Sequence, residues 1–283
     1  MQAVVDFFRV IVRNRRSFIG LIICLFFILM ATVGPMLFPL DMSVDYENRY
    51  EQPSFKHWLG TDYGGRDVWT QVVHGSQEVL LIGLLAGVIT LVFGASLGIV
   101  SGLIGGKVDT FIMMITNLFL TIPSLPVFII LAAFLSIQDP ISFALVLSAW
   151  SWPGLTRAVR SQVISLKERE FMVICKVMDL SLYHIVVREI MPNISSFLAI
   201  NYILIMRGAI VGSVAIMMLG LAPYSPTNWG QMLNIAITET GGIFNPNGYI
   251  YILSPIACLA LFQLGTIFFA NGLDEAMNPR LRK

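Results

Sequence analysis

The residues that could support chemistry are few, and their spacing fits no common catalytic site. The three histidines, His57, His74 and His184, lie far apart, and none has a second histidine or a cysteine within one helical turn. The segment SGLIGGKVD at 101–109 lacks the first glycine and the final hydroxyl of a phosphate-binding loop. The sequence contains no G-x-S-x-G nucleophile elbow. We therefore expect a chain that is not an enzyme and has no catalytic residue, cofactor or metal of its own.

One charged residue lies inside a long stretch that otherwise has no charge. Arg207 interrupts residues 190–238, and in a helix that begins near position 194 it would lie about 13 residues, or roughly 20 Å, from the start. A charge at this depth in a membrane costs several kcal/mol unless it is paired or faces water. Arg207, with Ser213 nearby, is therefore predicted to line a translocation pathway. Structural pairing of Arg207 with another span or subunit is the alternative, and a misplaced helix boundary is a third.

The composition is that of a membrane protein. The chain has 283 residues, of which 56% are apolar and only 12% are charged, whereas ordinary globular domains are about a quarter charged. The formal net charge of +1 and the lack of a dominant basic face argue against a nucleic-acid partner. The cysteines Cys24, Cys175 and Cys258 have no ligand spacing, so we expect them to be buried apolar residues. The fold class predicted from this composition is an all-α polytopic membrane protein.

Long uncharged runs predict which elements cross the bilayer, because a membrane helix needs roughly 20 apolar residues. Six transmembrane helices are predicted, at 17–39, 79–104, 109–135, 141–160, 194–221 and 249–272. Fourteen of the 18 lysines and arginines fall in segments that are cytoplasmic if the N-terminus is inside, when the inner end of the fourth helix is counted from residue 157. The sequence therefore predicts an N-in, C-in arrangement, with the polar stretch between the fourth and fifth helices also in the cytoplasm.

These spans divide the chain into successive segments. They are a cytoplasmic N-terminal segment (1–16), a first transmembrane helix (17–39), an extracellular insertion (40–78), a five-helix membrane core (79–272) with a cytoplasmic loop (161–193), and a cytoplasmic tail (273–283). A short helix is expected in the last outside segment, around residues 230–238. The second span has a small-residue face that we expect to pack inside the chain, with a subunit interface or pore as the alternative. Its glycines are at positions 83, 87, 94, 98 and 102.

The polar stretch EREFMVICKVMDLSLYHIVVREIMPN has helical periodicity in two short parts. Apolar residues recur on one face of each part. They are Phe171, Ile174, Val177 and Met178 in the first, and Leu182, Ile185, Val186 and Ile190 in the second. Asp179 or Ser181 is expected to turn the chain or cap the second helix, and Pro192 is expected to end it. The polar face is not predominantly basic and aromatic anchors are scarce, so a groove in a partner protein is favoured over the lipid interface as the binding surface.

This stretch resembles the cytoplasmic loop of permease subunits of binding-protein-dependent ABC importers. Their pattern is Glu-Ala-Ala, then Gly after three residues, then Ile-x-Leu-Pro or a variant. Here Val173-Ile174-Cys175 stands at Glu-Ala-Ala, Asp179 stands at Gly, and Ile190-Met191-Pro192 keeps the end. HWLGTDYGGRDVWTQVVHGSQ is similar to H-x-L-G-T-D-x-x-G-R-D-x-x-x-R-x-x-x-G of the oligopeptide, dipeptide and nickel class, with Gln71 at the second Arg. The ending GLDEAMNPRLRK is similar to the tail of the same class, and the chain thus resembles its C-type permease.

The resemblance implies a type I ABC importer transmembrane fold in the prokaryotic cell membrane. The implied partners are a second, homologous permease, two cytosolic ATP-binding subunits that hold ATP and Mg, and an extracellular solute-binding protein. The residues implied in coupling to the ATPases are Glu170, Phe171, Ile174, Cys175, Val177, Met178, Asp179, Leu180, Ser181, Leu182 and Pro192. The expected cargo is oligopeptides, with oligosaccharides as the alternative. A membrane scaffold for an ATPase, without transport, is the alternative from a different class.

Overall fold

The computed structural model describes residues 11–135, 137–222 and 224–277, and within them every regular element is a helix. The α-helices are α1 (Arg15–Thr32), α2 (Gly34–Leu37), α3 (Val68–Ile104), α4 (Gly106–Thr121), α5 (Ser124–Phe134), α6 (Pro140–Lys167), α7 (Glu170–Val177), α8 (Leu182–His184), α9 (Met191–Met218), α10 (Trp229–Thr238) and α11 (Tyr249–Met277). A π-helical segment, Ile185–Ile190, joins α8 to α9, and single 3-10 turns lie at Tyr46–Asn48, Gly242–Phe244 and Pro246–Gly248. The all-α prediction is confirmed for these residues. Residues 1–10 and 278–283 of the predicted cytoplasmic ends lie outside the described ranges.

Four helical stretches are long and apolar enough to cross a membrane. They are Arg15–Thr32, Val68–Ile104, Leu182–Met218 and Pro246–Met277. The bent pair α4 and α5 makes a fifth span if the two helices cross together. Helix α6 is long enough to cross a membrane but is more polar than these four stretches. The described residues therefore contain four or five candidate spans, and the sixth span and the N-in, C-in orientation stay predictions.

Helix α3 is longer than the predicted second span. It begins at Val68, where the Asp67 side chain accepts a bond from the backbone N–H of Thr70 at 2.7 Å and caps the first turn. Residues 68–78, which the sequence reading placed in the outside insertion, are therefore helical. The search for uncharged runs missed these turns because the charge of Glu78 separates them from the apolar run that begins at Val79.

The predicted third span, 109–135, is broken rather than continuous. Helices α4 and α5 meet at an angle of 87°, and Ile122 between them is extended, with φ −93° and ψ 124°. Pro123 explains the break, because a proline disfavours the helical conformation in the residue before it and has no backbone N–H to donate. Apolar residues continue on both sides, so hydropathy alone could not reveal the bend.

The predicted helix end at Pro192 is wrong. Helical conformation continues from α8 through the π-helical segment into α9, and Pro192 occupies the first turn of α9. A π-helical turn bonds residue i to residue i+5. The residues before Pro192 are bonded in the π-helical pattern, so the α-helical bond that a proline would remove is already absent. The helix therefore continues through Pro192.

The glycine face of α3 packs inside the chain, as favoured from the sequence. A Cβ atom added at Gly98 would lie 2.7 Å from the carbonyl oxygen of Thr156 on α6. This close approach lets the Thr156 hydroxyl donate to the carbonyl oxygen of Gly94 at 3.0 Å. At Gly83 the neighbour is Ile210 of α9. The small residues therefore hold α3 against both α6 and α9.

The short helix predicted around residues 230–238 is present as α10 and packs into the bundle. Trp229, its first residue, is fully buried and donates its indole N–H to the carbonyl oxygen of Val72 at 3.0 Å. Phe27 of α1 meets Trp229 and Phe262 edge-to-face, with ring centroids 5.9 and 5.4 Å apart. These contacts bring α1, α3, α10 and α11 together around one apolar core.

Candidate functional site

The polar segment at 168–193 folds as two helical parts joined by a tight turn. After α7 ends, the backbone N–H of Leu180 bonds the carbonyl oxygen of Cys175 at 3.1 Å, and Asp179 has a φ of +50°. This is the Schellman arrangement, in which the residue after the helix takes the left-handed conformation that glycine adopts most easily. The geometry explains the Gly of the permease pattern, and Asp179 can replace it because aspartate tolerates this conformation better than most residues.

The second helical part begins with a side-chain cap. The Ser181 hydroxyl accepts a hydrogen bond from the backbone N–H of His184 at 3.3 Å, so α8 begins at Leu182. The sequence left open which residue turns the chain and which caps the helix. In the structure Asp179 makes the turn and Ser181 makes the cap.

One face of the 168–193 segment is anchored in the helix bundle. Its buried side chains are Met172, Cys175, Ile185 and Ile190. They join one apolar cluster with α3, α6 and α9, and Phe171 and Leu180 pack partly against it. Met172 and Cys175 are only 1% and 5% exposed. The segment is therefore attached to three long helices and is not a free loop.

The opposite side of the segment is apolar and exposed. Its side chains are Val173, Ile174, Val177, Met178, Leu182 and Tyr183, and their exposed fractions run from 55% to 81%. We call these six residues the exposed face. Of the other residues predicted to act in coupling, Glu170 and Pro192 lie in the first turns of α7 and α9 and are exposed. Large apolar side chains grouped on a polar segment are typical of a surface that another molecule covers.

One contact at the base of the 168–193 segment was not predicted from the sequence. Lys167, the last residue of α6, donates to the carbonyl oxygens of Gly102 and Leu103 at 3.1 and 2.8 Å. Carbonyl groups in the last turn of a helix have no partner within it, and a lysine can satisfy them. The end of α6 is thus tied to the end of α3, immediately before α7 begins.

A second missed contact joins α4 to α6 near the same place. Nε and Nη2 of Arg160 lie 2.5 and 2.6 Å from the two carboxylate oxygens of Asp109. The Ser101 hydroxyl of α3 donates to the same carboxylate at 2.5 Å. The only sequence signal for this site was an acid in the short KVD turn. Three long helices are thus held together next to the 168–193 segment.

The two residues predicted to line a pathway differ in exposure. Arg207 of α9 is partly exposed, and no carboxylate of the described residues lies within ion-pair distance of it. Its carbonyl oxygen accepts a bond from the Gln263 side chain at 3.2 Å. Ser213 is fully buried, and its hydroxyl donates to the carbonyl oxygen of Ile210 at 2.8 Å. The Arg207 residue is thus partly accessible, whereas Ser213 occupies a packing position.

A cavity of about 510 Å³ lies at the break between α4 and α5. Helices α4, α5, α6 and α9 form its walls, with Phe119 and Trp150 4.5 Å apart between ring centroids. Gly154 and Gly208 leave room on the α6 and α9 sides. Its volume lies in the range of small-ligand sites, about 300–1,000 Å³. Neither Arg207 nor Ser213 lines it.

The motif that begins at His57 folds into a turn that caps α3. Asp62 is fully buried and accepts bonds from the backbone N–H and the Nε of Arg66, both at 3.0 Å. His57 Nδ1 lies 2.8 Å from the carboxylate of Asp67, the residue that caps α3. Gln71, which departs from the class pattern, donates to Asp62 at 3.0 Å. The motif therefore folds the segment before α3 onto that helix.

The cysteines and acidic residues form no metal site in the described part of the chain. No group of three or more His, Cys, Asp or Glu side chains there could hold a metal ion. All three cysteines are free thiols. Cys175 is buried, as predicted, while Cys24 and Cys258 are partly buried.

Two parts of the chain match known families. Residues 94–283 match the family described as binding-protein-dependent transport system inner membrane component. Residues 4–53 match the N-terminal transmembrane domain of oligopeptide transport permease C. The chain belongs to this permease family. It is accordingly a multi-pass protein of the cell membrane and a transport subunit, and its relatives are permeases, not enzymes.

Similar proteins are permeases of peptide transport systems. The dipeptide transport system permease protein DppC of Alkalihalophilus pseudofirmus is 31% identical over 97% of this chain and 89% of its own length. DppC of Bacillus subtilis is 29% identical over 98% of this chain and 86% of its own length. The oligopeptide transport system permease protein OppC of Haemophilus influenzae is 30% identical, over 95% of this chain and 86% of its own length. The resemblance to the C-type permease is thus confirmed along nearly the whole chain.

Proposed function

We propose that this chain is one of two permease subunits in an ATP-driven importer of peptides, and that the 168–193 segment couples it to the ATPases. The observation that carries the proposal is the exposed face, which lies on a segment anchored to α3, α6 and α9. Apolar residues exposed on the outside of a helix and spaced at helical intervals fit a groove in a partner protein. Residues of this face include Ile174, Val177, Met178 and Leu182, all of which the resemblance to importer permeases implied in coupling.

The proposed arrangement has six spans, N-in and C-in. Helix α6 and the bent pair α4 and α5 each cross once, and the four other long helical stretches supply the rest. In this arrangement the 168–193 segment lies in the cytoplasm, where the ATPases bind ATP and Mg. The outside motif around Asp62 lies on the opposite side, where a solute-binding protein delivers cargo.

Coupling requires that a displacement of the exposed face reach the spans. Lys167 ties α6 to the end of α3, and Arg160 ties α6 to α4 through Asp109. These contacts lie within the ten residues before α7, so a push on α7 is passed to three helices as a rigid-body movement. Closure of the ATPase pair on ATP would thereby tilt the spans and expose the pathway to the other side of the membrane.

The cargo is a peptide. The relatives are named for dipeptide or oligopeptide transport, and an oligosaccharide cargo has no comparable support. We assign Arg207 to the translocation pathway because it is partly exposed and has no carboxylate partner in the described residues. Ser213 is not included, because it is buried.

The test is ATP-driven uptake by the assembled importer. The chain, the second permease, both ATPases and the solute-binding protein are reconstituted in liposomes, and uptake of a radiolabelled tripeptide is followed with and without ATP. We expect uptake that requires ATP and is lost when this chain is left out. An assembled complex that hydrolyses ATP but moves no peptide would instead indicate a scaffold or a different cargo, and the proposal would fail.

A further inference from the structure

A polar contact at one end of the cavity is not used by the mechanism above. Nη2 of Arg157, on α6, donates to the side-chain oxygen of Asn117, on α4, at 2.6 Å. Arg157 lies one helical turn, about 5 Å, from Gly154, and Asn117 lies one turn from Leu120. Gly154 and Leu120 both line the cavity. Residues three apart on a helix share a face. The Arg157–Asn117 contact therefore lies one helical turn beyond the cavity walls, on the side nearer to the 168–193 segment.

Arg157 has no opposite charge beside it in the described residues. Its side chain is exposed, its one polar partner is the neutral Asn117, and the nearby Asp109 is already paired with Arg160. At 1.5 Å per residue, Arg157 lies about 5 Å from residue 160, the predicted cytoplasmic end of the fourth span. A guanidinium near this boundary is stabilised by water or by an anion. The cavity next to it has room for both.

The remaining walls suit an organic anion. Phe119 and Trp150 form an aromatic wall, and such walls bind the apolar parts of small ligands. The first turn of α5, at Ser124, also lines the cavity and has no side-chain cap, so the partial positive charge of that helix end adds to the charge of Arg157. Apolar surface at one end and positive charge at the other would fit a molecule with an apolar body and a carboxylate.

We infer that this cavity binds the carboxylate end of the cargo peptide, with Arg157 as the residue that binds the anion. The planar guanidinium matches a carboxylate in two parallel hydrogen bonds. Asn117 occupies one of its five N–H donors and fixes its direction, which leaves donors for the ligand. Every linear peptide has one C-terminal carboxylate, so this contact recognises linear peptides whatever their side chains are. The inference rests on the proposed peptide transport and adds to it the group that the pathway recognises.

The test compares a peptide acid with its amide in the reconstituted importer. The probes are a radiolabelled tripeptide with a free C-terminus and the same tripeptide as the C-terminal amide, chosen so that the wild type transports both. Each rate is divided by the wild-type rate for the same probe, which removes the selectivity of the solute-binding protein. The variants are Arg157→Gln and Arg157→Lys. Arg13→Gln removes a charge from an exposed residue far from the cavity and serves as the control.

We expect Arg157→Gln to lower uptake of the acid about tenfold relative to the amide, since a hydrogen-bonded contact to a charged group has roughly that effect on affinity. Arg157→Lys should retain part of the preference for the acid over the amide, because lysine keeps the charge but not the paired N–H donors. Arg13→Gln leaves the ratio unchanged. Equal loss of both probes would overturn the inference, since Arg157 would then contact a lipid headgroup or the second permease. An unchanged ratio with full uptake would overturn it as well.

Failure of the underlying function gives a different result. If the wild-type importer transports no peptide, acid or amide, the proposed function fails and the inference falls with it. If the wild type transports peptides but Arg157→Gln leaves the ratio of acid to amide unchanged, only the assignment of Arg157 fails.

Discussion

The ammonium nitrogen of Lys167 lies 2.8 Å from the carbonyl oxygen of Leu103, so the last residue of α6 is bound to the last turn of α3. Replacing Lys167 by Met removes this contact and is expected to weaken the attachment of α7 by about 1 kcal/mol, the usual contribution of a cation at a helix C-terminus. Amide hydrogen exchange in α7, measured by mass spectrometry on the assembled importer, should then rise about fivefold.

The control for this variant is Lys107→Met, which removes the same charge from an exposed residue in the neighbouring turn. Exchange in α7 should not change in this variant. If both variants raised exchange equally, or neither did, the contact at Leu103 would not be what holds α7 in place.

The turn at Asp179 gives a second prediction. Asp179 has a left-handed backbone, with φ of +50°. Asp179→Ala is expected to destabilise the turn by about 1 kcal/mol, because alanine lacks the tolerance of aspartate for this conformation. Asp179→Gly, which restores the residue of the family pattern, should stabilise it. The measurement is hydrogen exchange at residues 178–182, and equal exchange in the Ala and Gly variants would contradict the assignment.

The motif around Asp62 gives a third prediction, on stability. Asp62→Ala would leave Arg66 and Gln71 without their buried acceptor, and breaking such a buried pair typically costs about 3 kcal/mol. We expect a clearly lower melting temperature for the purified complex. Asp41→Ala is the control, because Asp41 is an exposed acid whose pKa is lowered by its bonds to Ser43. A similar fall in melting temperature in both variants would show that the buried contacts of Asp62 do not stabilise the protein more than those of an exposed acid.

How much of this architecture could be predicted depended on the kind of signal. Uncharged runs located most of the long helices, because a helix surrounded by lipid must consist largely of apolar residues. Glycine spacing located the packing face of α3. The bend at Pro123 and the longer start of α3 did not show in such runs. Apolar residues continue through the bend, and the first turns of α3 are polar.

The candidate site was predictable in its location and less so in its contacts. Periodicity placed two short helices around Asp179. Of the first predicted face, Ile174, Val177 and Met178 are exposed and Phe171 packs against the bundle. The second predicted face is divided, because Leu182 is exposed whereas Ile185 and Ile190 are buried. The bonds of Lys167 and Arg160 were missed, because they join helices that are distant in sequence. Pro192 was misjudged because the π-helical segment before it gives no signal in residue type.

The close packing of α3 on α6 gives a fourth prediction. A Cβ atom at Gly98 would lie 2.7 Å from the Thr156 carbonyl oxygen and 2.8 Å from the Val159 Cβ, whereas one at Gly212 would lie 3.6 Å from its nearest neighbour. Gly98→Ala is expected to lower the melting temperature of the complex through overpacking of about 1–3 kcal/mol. Gly212→Ala should leave it unchanged. A lower melting temperature for Gly212→Ala alone would contradict this picture of the helix contact.

The most direct test of the coupling segment is ATP-driven peptide uptake by the reconstituted importer with Val177→Asp and Met178→Asp combined. These side chains are 81% and 64% exposed, so the substitutions leave the bundle intact but place two charges on the exposed face. The control combines Val177→Ile with Met178→Leu and keeps the face apolar. We predict at least a tenfold loss of uptake in the aspartate variant, at unchanged permease level and melting temperature, and full uptake in the control, since burying two charges costs several kcal/mol. Wild-type uptake in the aspartate variant would contradict the account.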